Sequence, residues 1–340
     1  MKSFAFIVSP ITIRQIKDFW PMLKIVPNFI IKPSLKNLPP FKVSHIKKIQ
    51  SIQGKVIEGF LIVCPLLHQQ AQDLEENLIV DKVLAAGRIA ERLGSRVIGL
   101  DSCASVIGDK GYDTITRNLK IPITSGNALN AWSVFEGVYR VAKAKKINLK
   151  SSSLVIIGAT DSVVSLCTRK LSDYVSKITI VAEERNKLEQ LKERILYQNP
   201  NKEVIIEEDT HRAVKDADIV INANNASEAA FNVEELKPDA IVCDIPPFYR
   251  VIDRPNPRQD ITVIRGGLIK MPYPVKLGIN SQFPKGIIYA SLAETMLLTF
   301  EERFVNYSFG DNINPDKLEE IADLAVQHGF EVWVPEAPVM

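Results

Sequence analysis

Leu154-Val155-Ile156-Ile157-Gly158-Ala159-Thr160-Asp161-Ser162, followed after a stretch of helical pattern by Ile178-Thr179-Ile180-Val181, decides the fold of this chain. A short, β-branched apolar run bounded by glycine reads as a strand buried on both faces of a parallel sheet. The residues after it read as a tight turn into a helix, and the second run as the neighbouring strand. This is the opening βαβ unit of a dinucleotide-binding fold, in which the helix N-terminus meets a pyrophosphate. The full fingerprint has three glycines and this stretch has one; Asp161 and Val164 stand where the second and third would be. The stretch therefore speaks more strongly for the fold than for the cofactor.

Working outward, the chain has 340 residues, 46% of them hydrophobic and 24% charged. That is room for two domains of ordinary globular composition. A net charge of only +2 gives no bulk electrostatic case for nucleic acid or an anionic membrane. The basic cluster from Lys42 to Lys55 alternates with Ile and Val and reads as one solvated face of a hairpin. Cys64, Cys103, Cys167 and Cys243 have neither paired nor metal-like spacing, which suits a reducing compartment, and no metal is expected. Phe4 to Val8 is too short for a signal-peptide core, and no apolar run approaches the roughly 18–20 residues that span a bilayer. The expectation is a cytoplasmic protein.

Ahead of the central unit, Phe4 to Val8 reads as a strand and Ile11 to Met22 as helical. His45 to Ile52 and Lys55 to Cys64 form a hairpin around Gln53-Gly54. Leu78 to Leu93 has helical apolar spacing and stops at Gly94; Arg96 to Leu100 is a strand, and Asp101 to Ser125 is loop-rich. Thr124-Ser125-Gly126-Asn127 opens a helix reaching about Ala144. Asn127 either caps that helix or belongs, with Thr124 and Gly126, to a turn that presents backbone amides to a ligand. After the central unit the strands end in polar or glycine-rich turns, among them Ala223-Asn224-Asn225 and Gly266-Gly267. In an open parallel sheet that edge is where ligands bind. Ile287 to Phe304 reads as one helix, and a last helix runs from Asn314-Pro315 to Gly329. The resulting reading is α/β: a Rossmann-like, doubly wound parallel sheet over residues 151–286, and a second α/β domain from residues 1–150. The helices of 287–340 pack back on that second domain.

The chain also resembles the cyanobacterial long-chain acyl-acyl-carrier-protein reductases. The matching residues are densest near the C-terminus: Ala293-Glu294, Met296-Leu297-Leu298, Phe300-Glu301, Asn306, Ser308, Gly310 and His328-Gly329-Phe330. Others are Gly54-Lys55-Val56-Ile57, Thr124, Gly126-Asn127, Gly158-Ala159-Thr160 and Gly266-Gly267. The resemblance implies a Rossmann fold, a nicotinamide cofactor, and reduction of a fatty acyl thioester to an aldehyde by way of a cysteine nucleophile. Its implied partners are acyl-carrier protein or acyl-CoA; a homologue without turnover would bind a partner subunit instead, and charge and hydropathy offer neither nucleic acid nor a membrane span.

Three departures bear on that chemistry. The family's cysteine falls at Ser291, whose hydroxyl needs a base; Glu294, three residues on, is the local candidate. Asp161 adds negative charge at a phosphate turn formed by Gly158, Thr160 and Ser162. The family's arginine after the second strand falls at Glu183, which favours the free ribose of NAD over NADP. Three readings follow: an acyl-thioester reductase, a reductase retuned to another carbonyl, or a homologue that binds an acyl group or partner without turnover. Cys103 and Cys243 are the alternative thiols, more simply read as small buried hydrophobes.

Overall fold

The computed structural model describes residues 2–10, 12–67, 70–71, 73–101, 107–159, 162–223, 231–245, 258–279, 283–310 and 313–334. Thr160, Asp161, Asn224 and Cys103, singled out above, lie outside them. The chain divides into two compact units, Met1–Leu129 with Ile269–Ile313 and Glu319–Glu331, and Asn130–Leu268 with Asn314–Leu318 and Val332–Met340.

The first unit is built on a five-stranded sheet of β1 (Ser3–Val8), β2 (Phe41–Gln50), β3 (Val56–Val63), β4 (Ile98–Leu100) and β5 (Ile123–Thr124). Its order is β2-β3-β1-β4-β5; β2 runs antiparallel to β3 and the other pairs are parallel. Before β2 come α1 (Ile13–Phe19), a 3-10 turn at Pro21–Ile25 and α2 (Asn28–Ser34). The expected hairpin is present, with Gly54 at its turn and a bulge between Ile46 and Ile49. α3 (Glu76–Arg92) lays Ile79, Val83, Ala86 and Ala90 against Ala5, Ile7, Ile62 and Ile98 of the sheet in one fully apolar core.

One local reading is corrected in this unit. The stretch expected to be loop contains α4 (Asp109–Asn118), whose Tyr112 and Ile115 are buried. Gly111 masks it in sequence, because glycine is a poor helix former. It is needed there, since a Cβ would lie 2.5 Å from a Glu76 carboxylate oxygen and 2.6 Å from Ile107.

The second unit takes α5 (Asn127–Ala144) from Asn130 onward, then β6 (Ser153–Ile157), α6 (Ser162–Leu171), β7 (Lys177–Val181) and α7 (Arg185–Gln198). It continues with β8 (Glu203–Ile206), α8 (Thr210–Val214), β9 (Ile219–Asn222), β10 (Ile241–Asp244) and β11 (Thr262–Arg265). All six strands are parallel in the order β11-β10-β9-β6-β7-β8. Counted within the sheet, that is 6-5-4-1-2-3, the doubly wound order of a Rossmann fold, with its switch point beside β6. Val155, Ile157, Val181, Val220 and Val242 pack with Val214, Phe231 and Ile261 on one face.

The units part near residues 129 and 268 rather than 150 and 286. The reason is local: Ser133 on α5 accepts the Gly267 amide at 3.0 Å, and Lys145 reaches Thr262 at 3.1 Å, tying α5 to the Rossmann sheet.

The segment expected to be one helix, Ile287 to Phe304, begins instead as β13 (Ile287–Tyr289), paired with β12 (Leu268–Lys270). That strand pairs in turn with β14 (Glu331–Val332). The helix proper, α9, spans Ala290–Phe300 and packs on β1, β3, β4 and β5. Ile287-Ile288-Tyr289 is apolar enough for either state, and only its partner strand decides. α10 (Asp316–His328) starts where Asn314 accepts the Asp316 amide at 3.0 Å and ends at Gly329. Among the described residues no helix is long and apolar enough to cross a membrane.

His328 closes α10 with a fully buried ring stacked on Phe300 at 4.9 Å. Its Nε2 meets Glu301 at 2.7 Å, on the carboxylate oxygen that also receives Lys55 at 2.6 Å. Its Nδ1 has no hydrogen-bond partner among the described residues, so the ring satisfies no helix carbonyl. Burial, aided by the Lys55 charge, holds the imidazole below its ordinary value despite Glu301. The Glu301 carboxyl is itself held down, chiefly by Lys55.

Both shifts act with the same sign. As pH falls through about 6.5, the unfolded imidazole takes a proton that the folded one resists, and stability is lost. Below the ordinary carboxylate range the depressed Glu301 adds a second loss. Urea denaturation from pH 7.5 down to 5.5 is expected to show falling stability, with a slope below the single-proton limit of about 1.4 kcal/mol per pH unit. His328→Gln should flatten that window; an unchanged slope would assign it to other groups.

Candidate functional site

In the first unit, β5 ends at Thr124, and Ser125-Gly126 turns the chain into α5. Gly126 sits at φ +76°, and a Cβ there would lie 2.2 Å from the Cα and 2.5 Å from the Cβ of Ser291. The turn is thus pressed against the first turn of α9, where Ser291 is the second helical residue and half-buried. Tyr289, the N-cap of α9, gives no side-chain cap, so the amides of that first turn keep the positive end of the helix dipole.

One turn on, Glu294 is fully buried. Its Oε1 accepts the Thr124 hydroxyl and, at 2.5 Å, the Ser308 hydroxyl; its Oε2 accepts the Leu129 amide at 2.9 Å. Ser125 donates to the Ser308 carbonyl, and the Asn306 side chain accepts the Ile123 amide at 3.0 Å. The segment after α9 is therefore sewn to β5 through a buried polar knot centred on Glu294. A carboxylate in such a place persists only because its lone pairs are taken. Nearby, burial, a hydrogen bond to Glu320 and the Glu294 charge push the Tyr307 hydroxyl well above its ordinary value.

The structure thus brings Thr124, Gly126, Ser291 and Glu294 together, with Asn127 at the start of α5. It does not join Glu294 to Ser291 as a base: no hydrogen bond links them among the described residues. Sequence reading gave Ser308, Asn306 and the Leu129 amide no role. The first two were visible only as points of resemblance, and a backbone amide leaves no trace in sequence.

In the second unit, Gly158 ends β6 at φ +80°, and the Gly158 and Ala159 amides both point to the Val181 carbonyl, at 2.9 and 3.3 Å. Ser162 opens α6 just beyond, and Val164, the third residue of that helix, is fully buried. Glu183 is exposed two residues past the end of β7, and its side chain forms no ion pair among the described residues. At the carboxyl ends of β9 and β10, the buried Asn222 amide donates to Asp244 at 2.7 Å. Gly266 and Gly267 are buried rather than displayed. The Gly266 amide bonds to the Asp244 carbonyl at 2.8 Å, and a Cβ on Gly266 would stand 2.9 Å from Val134 of α5. Close packing of α5 asks for glycine at Gly266, and Gly267 stands at φ +74°.

The described cysteines are all buried. Burial pushes Cys64 up to about 12, and raises Cys167 and Cys243 further above the ordinary thiol range. None is poised as a thiolate. Among the described residues no cluster of His, Cys, Asp and Glu could hold a metal ion.

No protein-family profile matches the chain. It is 25% identical over 302 residues to an aminotransferase, PigE, of a Serratia species; the match takes in 88% of this chain and 35% of that protein. It is also 25% identical over 307 residues to the long-chain acyl-[acyl-carrier-protein] reductase of Synechococcus elongatus, covering 86% of this chain and 87% of the relative. Among solved structures it is similar to shikimate 5-dehydrogenase from Listeria monocytogenes, with a TM-score of 0.41, 12% identity, and 95% and 96% of the two chains covered. Quinate dehydrogenase from Corynebacterium glutamicum gives a TM-score of 0.35 at 16% identity, covering 71% and 79%. The Rossmann assignment rests on strand order and direction, which these likenesses accompany.

Proposed function

We infer that the chain is a nicotinamide-dependent oxidoreductase that reduces the activated carbonyl of an acyl thioester, with NAD preferred over NADP. The observation that carries this reading is the six-stranded parallel sheet whose first strand ends in the tight Gly158 turn. The one glycine that such a turn needs for its backbone is kept, and the exposed Glu183 carboxylate, with no ion pair among the described residues, follows the second strand. The residues present fit a dinucleotide on those two counts. Gly158, Thr160, Asp161 and Ser162 would border its pyrophosphate and Glu183 its ribose, with Asn224 at a neighbouring strand end. When bound, the nicotinamide supplies a hydride. Similarity to the Synechococcus reductase supports a thioester as the acceptor and acyl-carrier protein or acyl-CoA as its carrier.

Ser291 acts here without becoming a nucleophile, because no base is hydrogen-bonded to its hydroxyl among the described residues and a hydroxyl in that position stays protonated. It donates a hydrogen bond to the substrate carbonyl oxygen. The first turn of α9, which has no side-chain cap, would favour the negative charge that builds on that oxygen as a hydride adds to the carbonyl, charge that is given up when C=O re-forms and the thiolate leaves. Glu294 positions that turn through Thr124, Leu129 and Ser308.

Calorimetric titration with NADH and NADPH tests the reading. NADH is expected to bind the more tightly, and Glu183→Arg to reverse the order. Added acyl-CoA should then oxidise NADH with release of aldehyde, faster in Ser291→Cys. Failure of both nucleotides to bind at millimolar concentration would leave a binding protein built on an inherited scaffold. That no base is hydrogen-bonded to Ser291 among the described residues is the observation that favours that second reading.

A further inference from the structure

The segment between β1 and β2 has apolar residues facing in two directions. One set, Ile16, Ile31 and Leu35, is buried with Leu67, and Ile13, Leu23, Val26 and Leu38 pack around it. That set anchors α1, the 3-10 turn and α2 to the first unit. The other set faces out: Met22 is 83% exposed, Ile25 91%, Phe29 76% and Ile30 47%. They are four of the ten large hydrophobic side chains that stand exposed among the described residues. All four fall within the nine positions from Met22 to Ile30, so this short segment concentrates exposed apolar surface that elsewhere is scattered singly.

The charge around the patch is one-sided. Residues 12–40 contain Arg14, Lys17, Lys24, Lys32 and Lys36 against Asp18 alone, five cations to one anion, in a chain whose overall net charge is +2. The same segment continues into a cleft of about 920 Å³ lined by Phe19, Trp20, Phe41 and Phe283, with exposed Lys276 and Lys285 on its wall. Trp20 stacks on Phe41 at 4.5 Å in that wall.

We propose that this face is a membrane-docking surface, on which Met22, Ile25 and Phe29 enter the headgroup layer of an anionic bilayer while the surrounding lysines and Arg14 meet its phosphates. The chemistry separates this occupant from the others. The cores of protein interfaces are poor in lysine, whereas elements lying in a membrane interface set Lys and Arg beside Trp, Phe and Leu. A second copy of the chain would bring the same five cations against themselves. Apolar insertion and a basic patch are each weak alone, and together they give reversible attachment. No spanning helix is involved.

Flotation of the purified chain with vesicles decides the matter. Vesicles of phosphatidylcholine plus phosphatidylglycerol should carry the protein upward, pure phosphatidylcholine vesicles should carry far less, and raised salt should release it. Ile25→Ser/Phe29→Ser should lower the partition more than about tenfold, while its melting temperature stays that of the parent, since both side chains already stand in water. Three results would overturn the proposal: a parent chain left at the bottom of the gradient with both vesicle types, a variant that floats like the parent, or a parent dimer by light scattering that the variant converts to monomer. The last would give the face to a second copy.

Discussion

Gly126→Ala is expected to destabilise the protein by about 3–5 kcal/mol, combining a strained left-handed backbone with a clash that no rotamer can relieve. The atoms that a Cβ would meet, at 2.2 and 3.1 Å, are the Cα and amide nitrogen of Ser291, backbone atoms at the start of α9. Relief therefore requires the helix and the turn to part, which pulls on the Glu294 knot as well. A built-in control separates the two contributions. Gly54 has nearly the same φ, +77°, but nothing within 4 Å of where its Cβ would be. Gly54→Ala should then cost only the backbone strain, about 1 kcal/mol. Urea denaturation of both variants measures the difference directly. Equal losses would mean that the approach of Ser291 to the turn is not a tight contact, and the positioning argued for Ser291 would fall with it.

How much of this was legible in the sequence follows from which interactions are local. The Rossmann strands are β-branched runs bounded by turn residues, so Leu154 to Ile157, Ile178 to Val181 and Ile219 to Asn222 announce themselves. So does the hairpin around Gly54. The misread pieces are those where a distant partner decides. Gly111 weakens the pattern of α4 to make room for Glu76 and Ile107, and Ile287 to Tyr289 is a strand only because β12 lies beside it.

The candidate site divides in the same way. Thr124, Gly126, Ser291 and Glu294 could be picked out by residue type and resemblance. That Glu294 looks toward Thr124, Ser308 and the Leu129 amide could not, because those partners lie 14 to 170 residues away along the chain. Gly266-Gly267 is ambiguous in another way. A glycine pair at a strand end reads as ligand-binding, and the close packing of α5 is a second demand for glycine there that the sequence does not display.

Substitutions at Glu294 are expected to show whether that carboxylate is a fastener or a reactant. Glu294→Ala strips the acceptor from three buried donors, the Thr124 and Ser308 hydroxyls and the Leu129 amide, and should cost about 3–5 kcal/mol. Glu294→Gln should cost far less, about 1–2 kcal/mol. Its amide oxygen can still receive the Leu129 N–H, while both hydroxyls can rotate to accept from its NH₂ group. If Glu294 only positions the first turn of α9, the Gln variant keeps most of its rate of acyl-thioester-dependent NADH oxidation, and its pH profile keeps its shape. If it is instead the base for Ser291, Gln removes turnover while stability barely moves, since an amide cannot take a proton near neutral pH. An Ala variant as stable as the parent would deny the knot any structural weight. The buried Glu294, with a helix start on one side and a glycine turn on the other, would then have to be explained by chemistry alone.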